Sequence, residues 1–433
     1  MTGSSVLRRP LALLVAVAAL GAAACTEDLT TSNTCPDLCP EQDLTVQQVE
    51  LMPVTLDTVL AGFPVLGAEQ SLLVARAGDS LDVRAVVRFD SLPSTYDDEQ
   101  GDNHDITQVV EPVVEVLLAR KLATTPVAVT LEAYDVAVTG DDTSAAVLAA
   151  AFTPDRLLGT LVVPPVSARG DTVQVDTLEI PLDPAMLLQR IAAGEGLRVG
   201  LRVSGADVAR LPLDPSNSFL TFAVSADSGA RRLALAQRSL TPADDPRLRA
   251  DQSSFTIVVA GTPPPPPSVL AVGGLPARRS LLRFQLPPEI VDSSTVLRAT
   301  LVLTQIPVRG YLTTDTLQLQ PLAVTTRAAV TDVRRRMQLA ANALNPYSGR
   351  PVLAVAPLPV IPGDSGEFLI QIPELVGAWR TTDVLGFLPE LVLATPRESW
   401  TPLRAEFFSA EAPPELRPRL RLSYIRRVNF DLP

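Results

Sequence analysis

The sequence predicts an all-β protein built from two tandem antiparallel β-sandwich domains. Segments that alternate apolar and polar residues recur along the chain, as in residues 81–89 (LDVRAVVRF) and 197–203 (LRVGLRV), and such alternation is typical of half-buried strands. The chain holds 40 prolines in 433 residues, which disfavours helical bundles because proline removes a backbone donor and breaks helix interiors. Only residues 184–193 and 331–343 have a short helical pattern.

The first 24 residues have the pattern of a bacterial lipoprotein signal peptide. Arg8 and Arg9 precede an apolar stretch, residues 11–20, that is too short to span a bilayer, and small residues then lead to Cys25. This cysteine resembles the lipidated first residue of a mature lipoprotein. We therefore expect a lipid-anchored protein of the cell envelope, at the outer membrane or the cell surface. An ordinary secretory signal, cleaved before the same cysteine, is the alternative.

Residues 25–43 are polar, rich in threonine and interrupted by prolines, which predicts a flexible tether. Once Cys25 carries the lipid, Cys35 and Cys39 remain as a pair, and a disulfide between them is the expected state in an oxidising compartment. A metal-binding or redox pair is the alternative. The spacing is not C-x-x-C, however, and no second pair or nearby histidine completes a metal site.

The length and charge of the remaining chain limit the kinds of protein that it can be. About 400 residues exceed what one core usually holds, so two or three domains are expected. The 46% hydrophobic share argues against a disordered chain, and the net charge of −12 disfavours a nucleic-acid partner, whose phosphates need a basic surface. No later apolar run reaches membrane-spanning length without charge or proline. The lipid is therefore the expected attachment to the membrane.

Residues 261–267 (GTPPPPP) are expected to form a stiff polyproline II linker between a first domain, residues 44–260, and a second, residues 268–433. The two halves share sequence. RAVVRF at 84–89 matches RSLLRF at 279–284, and three further segments match in the same order at an offset of about 190 residues. This order favours a tandem duplication, although two sandwich domains of similar strand order would share part of the pattern by chance.

Four segments of the second half carry a family resemblance. They are LLRF at 281–284, ATLVL at 299–303, Trp379 at the end of an amphipathic segment, and a closing stretch at 407–424 that contains FFSAE and RPRLRLSY. Over residues 268–424 the sequence resembles the DNRLRE domain family, jelly-roll modules grouped with carbohydrate-binding modules. The resemblance implies a jelly-roll fold and a carbohydrate ligand for this half. The first half lacks a matching tryptophan and the closing tyrosine. For that half the resemblance therefore implies a sandwich fold only.

The sequence does not suggest an enzyme. His104 is the only histidine, and no G-x-S-x-G segment accompanies it, so no triad-type site is expected. Near it, Asp97, Asp98, Asp102 and Asp105 lie in one acidic loop, and oxygen-rich loops suit Ca²⁺. A solvated hairpin tip is the simpler interpretation of this loop, and no other cofactor is expected.

The candidate ligand-binding residues are Trp400, Tyr311 and Arg404. Trp400 has polar neighbours, Tyr311 lies in a predicted loop, and an arginine beside an aromatic face can orient a uronate-like sugar. Trp379 follows apolar residues and is expected in the core. The sequence therefore predicts a non-catalytic envelope protein that binds carbohydrate or exopolysaccharide. A structural or adhesive protein with protein partners is the alternative.

Overall fold

The structure is a computed structural model of the chain. It describes residues 45–63, 71–89, 92–97, 102–119, 123, 125–138, 144–165, 175–224, 232–236, 254–309, 315–324, 330–341, 355–380, 388–396, 398 and 400–426. The predicted signal peptide and lipidation site, the Cys35 and Cys39 pair, Asp98 and Tyr311 lie outside these residues. The described residues from 46 onward belong to one compact unit.

Strands dominate the described chain, so the all-β prediction is confirmed. In chain order the strands are β1 (Gln47–Leu51), β2 (Pro53–Phe63), β3 (Leu72–Ala77), β4 (Leu81–Phe89), β5 (Thr95–Asp97), β6 (Asn103–Asp105), β7 (Val110–Ala119), β8 (Val129–Asp135), β9 (Leu157–Val163), β10 (Val175–Pro181), β11 (Leu197–Ser204), β12 (Val208–Ala223), β13 (Arg232–Ala236), β14 (Phe255–Ala260), β15 (Val269–Gly273), β16 (Ala277–Phe284), β17 (Ser294–Ile306), β18 (Leu317–Val324), β19 (Ala340–Ala341), β20 (Leu358–Val360), β21 (Gly366–Gln371), β22 (Glu390–Ala394), β23 (Arg404–Phe408) and β24 (Arg419–Arg426).

The helices are short and lie between the strands. They are α1 (Ala145–Ala149), α2 (Pro184–Ala193), α3 (Pro288–Asp292), α4 (Val333–Gln338) and α5 (Pro373–Arg380). The predicted helix at 184–193 is observed: Asp183 accepts a hydrogen bond from the backbone N–H of Ala185 at 2.9 Å, and Gly194 ends the helix in the left-handed region. The second predicted helix is shorter than its pattern and covers only α4.

Two large antiparallel sheets form sandwich-like arrangements. The first sheet has the order β10-β7-β12-β3-β4-β11-β8-β9, and the main path of the second is β1-β24-β17-β23-β15-β16-β22-β18-β19. Each sheet folds over its own apolar cluster. In the first, Leu72 and Val114 share the cluster with Leu131 and Val199, and in the second, Leu301 and Phe407 share it with Phe284 and Leu391. These clusters remove apolar area from water, which stabilises each sandwich by about 25 cal/mol per Å².

The two sheets share one strand order. The path β10-β7-β12-β3-β4-β11-β8 of the first sheet corresponds, strand for strand and in chain order, to β21-β17-β23-β15-β16-β22-β18 of the second. The matching segments RAVVRF and RSLLRF lie on β4 and β16, at corresponding positions. Helices α2 and α5 likewise follow the corresponding strands β10 and β21. The closing strands differ, because β13 pairs with β12 whereas β24 pairs with β17.

One feature of the pairing departs from the order of the chain. Strands β1 and β2 lie within the predicted first domain, residues 44–260, yet they pair with β24 and β16 of the second sheet. Strand β14, which directly precedes the second half, pairs with β4 of the first sheet. β14 thus pairs within its own half, and β1 and β2 are the strands that cross to the other half. The physical reason is that a strand edge needs a partner for its backbone groups: β14 of the same half supplies it for β4, and β2 supplies it for β16.

Within the described residues, no helix has the length and apolar character needed to cross a membrane.

Candidate functional site

A polar groove of about 340 Å³ lies at one end of the first sheet. It is lined by the turn between β3 and β4, the end of β11 and the end of β14, through Arg76, Gly78, Asp79, Asp82, Arg84, Arg202, Val203, Val259 and Ala260. Three arginines and two aspartates supply its charged groups. Strand β14, the last strand of the first half, forms one wall, so the groove depends on the pairing of β14 with β4.

Arg84 is held in place from three directions. Its Nε and Nη2 atoms donate to the two carboxylate oxygens of Asp82 at 3.0 and 2.6 Å, and its Nη1 donates to the carbonyl oxygen of Ala149 at the end of α1, at 3.3 Å. The guanidinium lies 4.5 Å from the centre of the Phe152 ring. Gly200 leaves room for that ring, because a Cβ at this position would lie 2.5 Å from it. These contacts fix the orientation of the guanidinium.

Arg202 belongs to a hydrogen-bonded cluster on the outer face of β8 and β11. Its Nε and Nη2 atoms donate to Glu132 Oε2 at 3.0 and 2.7 Å, and its guanidinium lies 4.9 Å from the centre of the Tyr134 ring. The Tyr134 hydroxyl donates to the same carboxylate at 2.7 Å, and Ser204 Oγ donates to its other oxygen at 2.5 Å. Antiparallel pairing places Arg202 directly opposite Glu132, which is why these residues meet.

The cluster shifts the titration of its two acids. Burial of Glu132 acts to raise its pKa, but hydrogen bonds from Ser204, Tyr134 and Arg202 outweigh it, so the pKa lies below its usual value. Burial and the hydrogen bond to Glu132 raise the pKa of Tyr134 to about 12. At neutral pH the carboxylate is therefore ionised and the phenol keeps its proton. Arg202 faces a fixed negative charge on one side and the groove on the other.

The second half lacks this cluster at the corresponding positions. The strand registers place Ala394 where Arg202 stands, and they place Gln320 and Leu322 where Glu132 and Tyr134 stand. The arginine on β16, Arg279, is the counterpart of Arg84. The two halves thus share a scaffold, but only the first carries the charged groups of the groove.

The predicted ligand residues of the second half do not form a site that the structure describes as a whole. Trp400 is half-buried, and Tyr311 lies outside the described residues. Arg404 pairs with Glu406 at 3.0 Å and donates to the carbonyl oxygen of Pro263 at 3.2 Å, so it holds the linker against the second sheet. Trp379 is 3% exposed and lies in the core with its ring centre 6.1 Å from that of Phe284, as its apolar neighbours predict.

The two ends of the acidic loop pair as short strands. Strands β5 and β6 pair so that Asp97 lies opposite Asn103, whose Nδ2 donates to Asp97 Oδ1 at 3.0 Å. Asp105 lies on β6 and Asp102 directly precedes that strand, whereas Asp98 is outside the described residues. The part of the chain that the structure describes contains no group of three or more acidic, cysteine or histidine side chains suited to a metal ion. The Ca²⁺ hypothesis stays a prediction.

Sequence reasoning missed the groove. Glu132 and Arg202 lie in two segments that alternate as strands, so each was interpretable as an ordinary outward-facing polar residue. The signal that could have found them is a run of charged and aromatic residues on the outward face of both strands. Only the pairing of β8 with β11 and the register of that pairing bring those faces together.

No family model matches the chain, and no curated protein sequence matches it. Among solved structures, an infectious bursal virus derived T=1 particle aligns with 87% of this chain and 77% of its own at 12% identity, with a TM-score of 0.12. The Gt strain of infectious bursal disease virus aligns with 90% and 78% at 12% identity, with a TM-score of 0.11. Scores this low carry no argument about this chain. Its resemblance to the DNRLRE family stays a prediction from its own residues.

Proposed function

We propose that this protein is a non-catalytic, saccharide-binding lipoprotein of the cell envelope and that the groove of the first sheet is its binding site. The observation that carries the proposal is the placement of guanidinium and carboxylate groups side by side around a space of about 340 Å³. Arg84 and Arg202 are both held by carboxylates and aromatic rings before any ligand arrives. A rigid set of polar groups lowers the entropic cost of binding.

The mixture of donors and acceptors favours hydroxyl groups as the ligand chemistry. Among the described residues, Arg202 Nη1 has no hydrogen-bond partner and Arg76 has no ion-pair partner, and both belong to the groove lining. Asp79 is exposed on the same lining and supplies acceptors. A hydroxyl both donates and accepts. A sugar with neighbouring hydroxyls can therefore bond to arginine and aspartate together, whereas an anion could use only the arginines.

Replacement of Arg202 by alanine tests the groove. A glycan array probed with the full chain is expected to show saccharide binding, and Arg202→Ala is expected to weaken it by about tenfold or more, since a hydrogen bond to a charged group contributes about 1.5–3 kcal/mol. Arg298→Ala is the matched control, because Arg298 is exposed on β17 in the second sheet. Loss of binding in Trp400→Ala with no loss in Arg202→Ala would place the ligand in the second half. A chain that binds no saccharide contradicts the proposal.

The envelope location is proposed from the N-terminal sequence pattern. Cys25→Ser is expected to move the protein from the membrane fraction to the soluble fraction of cells, because the lipid is its proposed attachment. A Cys25→Ser variant that stays wholly with the membrane would contradict lipid anchoring. This result is independent of the groove, since a soluble variant can still be tested for saccharide binding.

A structural or adhesive role is the second candidate, and the edge of the first sheet favours it. Strand β9 ends the sheet order, and its Val162 and Leu157 are 67% and 43% exposed. An apolar edge strand can add a strand from a protein partner. Val162→Lys is expected to abolish such binding without affecting a saccharide in the groove. Partner capture that survives this change would contradict the edge as the contact.

A further inference from the structure

The N-terminal arm, residues 46–63, makes its strand pairings with the second sheet although the chain leads from it directly into the first. β1 pairs with β24 from Gln47 opposite Tyr424 to Leu51 opposite Leu420. β2 pairs with β16 along its whole length, from Phe63 opposite Ala277 to Pro53 opposite Phe284. The arm therefore adds strands to two edges of the second sheet. We call these two edges, on β24 and β16, the seat.

Contacts outside the strand pairing also hold the arm on the second half. Phe63 is 4% exposed, and the guanidinium groups of Arg279 and Arg334 lie 4.5 and 5.5 Å from the centre of its ring. Arg334 Nη2 also donates to the carbonyl oxygen of Ala61 at 3.0 Å. The backbone N–H of Ala410 donates to Asp57 Oδ2 at 2.6 Å. The seat is thus matched to this segment in particular, not to any extended strand.

The first sheet has a strand in the equivalent place, but that strand comes from its own half. β14, at the end of the first half, pairs with β4 in the position that β2 takes on β16. Ile257 lies opposite Arg84, and Leu60 lies opposite the corresponding Arg279. The edge of β4 is therefore filled by a strand of its own half, whereas the edge of β16 is filled by the arm, which comes from the opposite half. Nothing in these contacts requires that the strand and the seat belong to the same molecule.

We propose that the seat of the second sheet also accepts the N-terminal arm of a second copy of this chain, so that two chains form a closed dimer by reciprocal exchange of residues 46–63. The contacts between the arm and the second half described above are the same in the exchanged and unexchanged forms. The equilibrium is then set by the protein concentration relative to the effective concentration of the tethered arm. β2 ends at Phe63 and β3 begins at Leu72, so only residues 64–71 separate the arm from the first sheet along the chain, and short connections favour exchange between copies.

Disulfide trapping tests the exchange in the full chain. Gln48 and Ser423 lie directly opposite each other on β1 and β24, and neither is buried. In a background in which Cys25, Cys35 and Cys39 are serine, one tagged chain carries Gln48→Cys and a second, differently tagged chain carries Ser423→Cys. The two chains are mixed, unfolded in urea, refolded together and oxidised. A chain with both changes is the positive control. A Gln48→Cys chain mixed with a Val162→Cys chain, whose cysteine is exposed on β9, is the matched negative control.

The expected result is a disulfide-linked heterodimer that increases with concentration. For an effective concentration on the order of 1 mM, refolding at about 100 µM should exchange roughly a tenth of the arms, and refolding at about 1 µM roughly a thousandth. No heterodimer above the Val162→Cys control at any concentration would overturn the proposal. So would failure of the double variant to form its internal disulfide, since that would contradict the pairing of β1 with β24.

Discussion

Arg84 and Arg279 occupy corresponding positions on β4 and β16, and their guanidinium groups have the same three kinds of contact. Each is fork-bonded to a carboxylate, that of Asp82 or Glu398, and each donates to a carbonyl oxygen near the end of a short helix, α1 or α4. Each also lies 4.5 Å from the centre of a phenylalanine ring.

The rings come from different places. Phe152 follows α1 within the first half, whereas Phe63 belongs to the exchanged arm. Both positions thus have a carboxylate, a helix end and an aromatic ring around the arginine, and the chain supplies the ring from different places. An apolar cluster beneath each helix completes the site: Val86 and Leu148 in the first half, Leu281 and Met337 in the second.

The halves differ most in their buried charges. In the second half, Arg283 lies opposite Glu390, and Arg336 reaches the same fully buried carboxylate from α4. In the first half the corresponding pair across the ladder is Arg88 and Arg198. The charged cluster of the first half lies instead on β8 and β11, where it borders the groove. The same scaffold thus holds buried ion pairs in the second half and an ion-paired cluster beside a polar groove in the first.

The largest expected effect comes from breaking the buried pair of the second half. Arg336→Met should lower the free energy of unfolding by about 3–5 kcal/mol, because Glu390 is then left buried with less compensation. Urea denaturation measures the loss. Adding Glu390→Gln to Arg336→Met should recover part of it, since the uncompensated charge is removed. A loss below about 1 kcal/mol in the single variant would contradict the role given to this pair.

The two tryptophans of the second half should differ in the same measurement. Trp379→Ala is expected to cost about 3–5 kcal/mol, because the ring fills the core beside Phe284. Trp400→Ala should cost about 1 kcal/mol or less, since Trp400 is only half-buried. Thermal melts of both variants check this order. The reverse order would contradict both the burial of Trp379 and the choice of Trp400 as a ligand residue.

The shared arginine position should respond equally in both halves. Arg84→Lys and Arg279→Lys are each expected to lower the free energy of unfolding by about 1–2 kcal/mol, because lysine keeps the charge but loses the fork and the stacked plane. Arg298→Lys, on the exposed face of β17, is the control and should change little. If only one of the two variants is destabilised, the two arginines share a position in the fold but do not contribute equally to stability.

The smallest expected effect is the pH response of the first half. Tyr134 should titrate near pH 12, above the ordinary value of 10, so its contribution to stability is present below pH 10 and is lost as the pH rises towards 12. Glu132 has a lowered pKa, so its contribution is present above pH 4.5 and is lost as the pH falls through the folded value. Ultraviolet titration of the phenol, with Tyr134→Phe as reference, measures the first shift. A tyrosine with ordinary titration at this position would contradict the cluster.

Much of the fold could be predicted from local pattern. Alternation identified β4 and β11, and the proline content disfavoured a helical bundle. Trp379 was assignable to the core because its neighbours are apolar. The matched segments RAVVRF and RSLLRF pointed to corresponding strands, which the structure places at corresponding positions. The candidate groove could not be predicted from the sequence, because Arg202 and Glu132 are 70 positions apart and their contact depends on the register of strand pairing.

The sequence by itself determined the class of this protein, because the period of its apolar residues and the density of its prolines permit strands and little else. Tertiary structure alone decided which strands meet. The arm that precedes the first half pairs with the second, and β14 pairs with the first, because backbone hydrogen bonding fills open edges without regard to order along the chain. That choice places Val259 and Ala260 against Arg84 and Arg202 and so forms the groove. No local pattern encodes it, since strand edges carry no sequence signature of their partner.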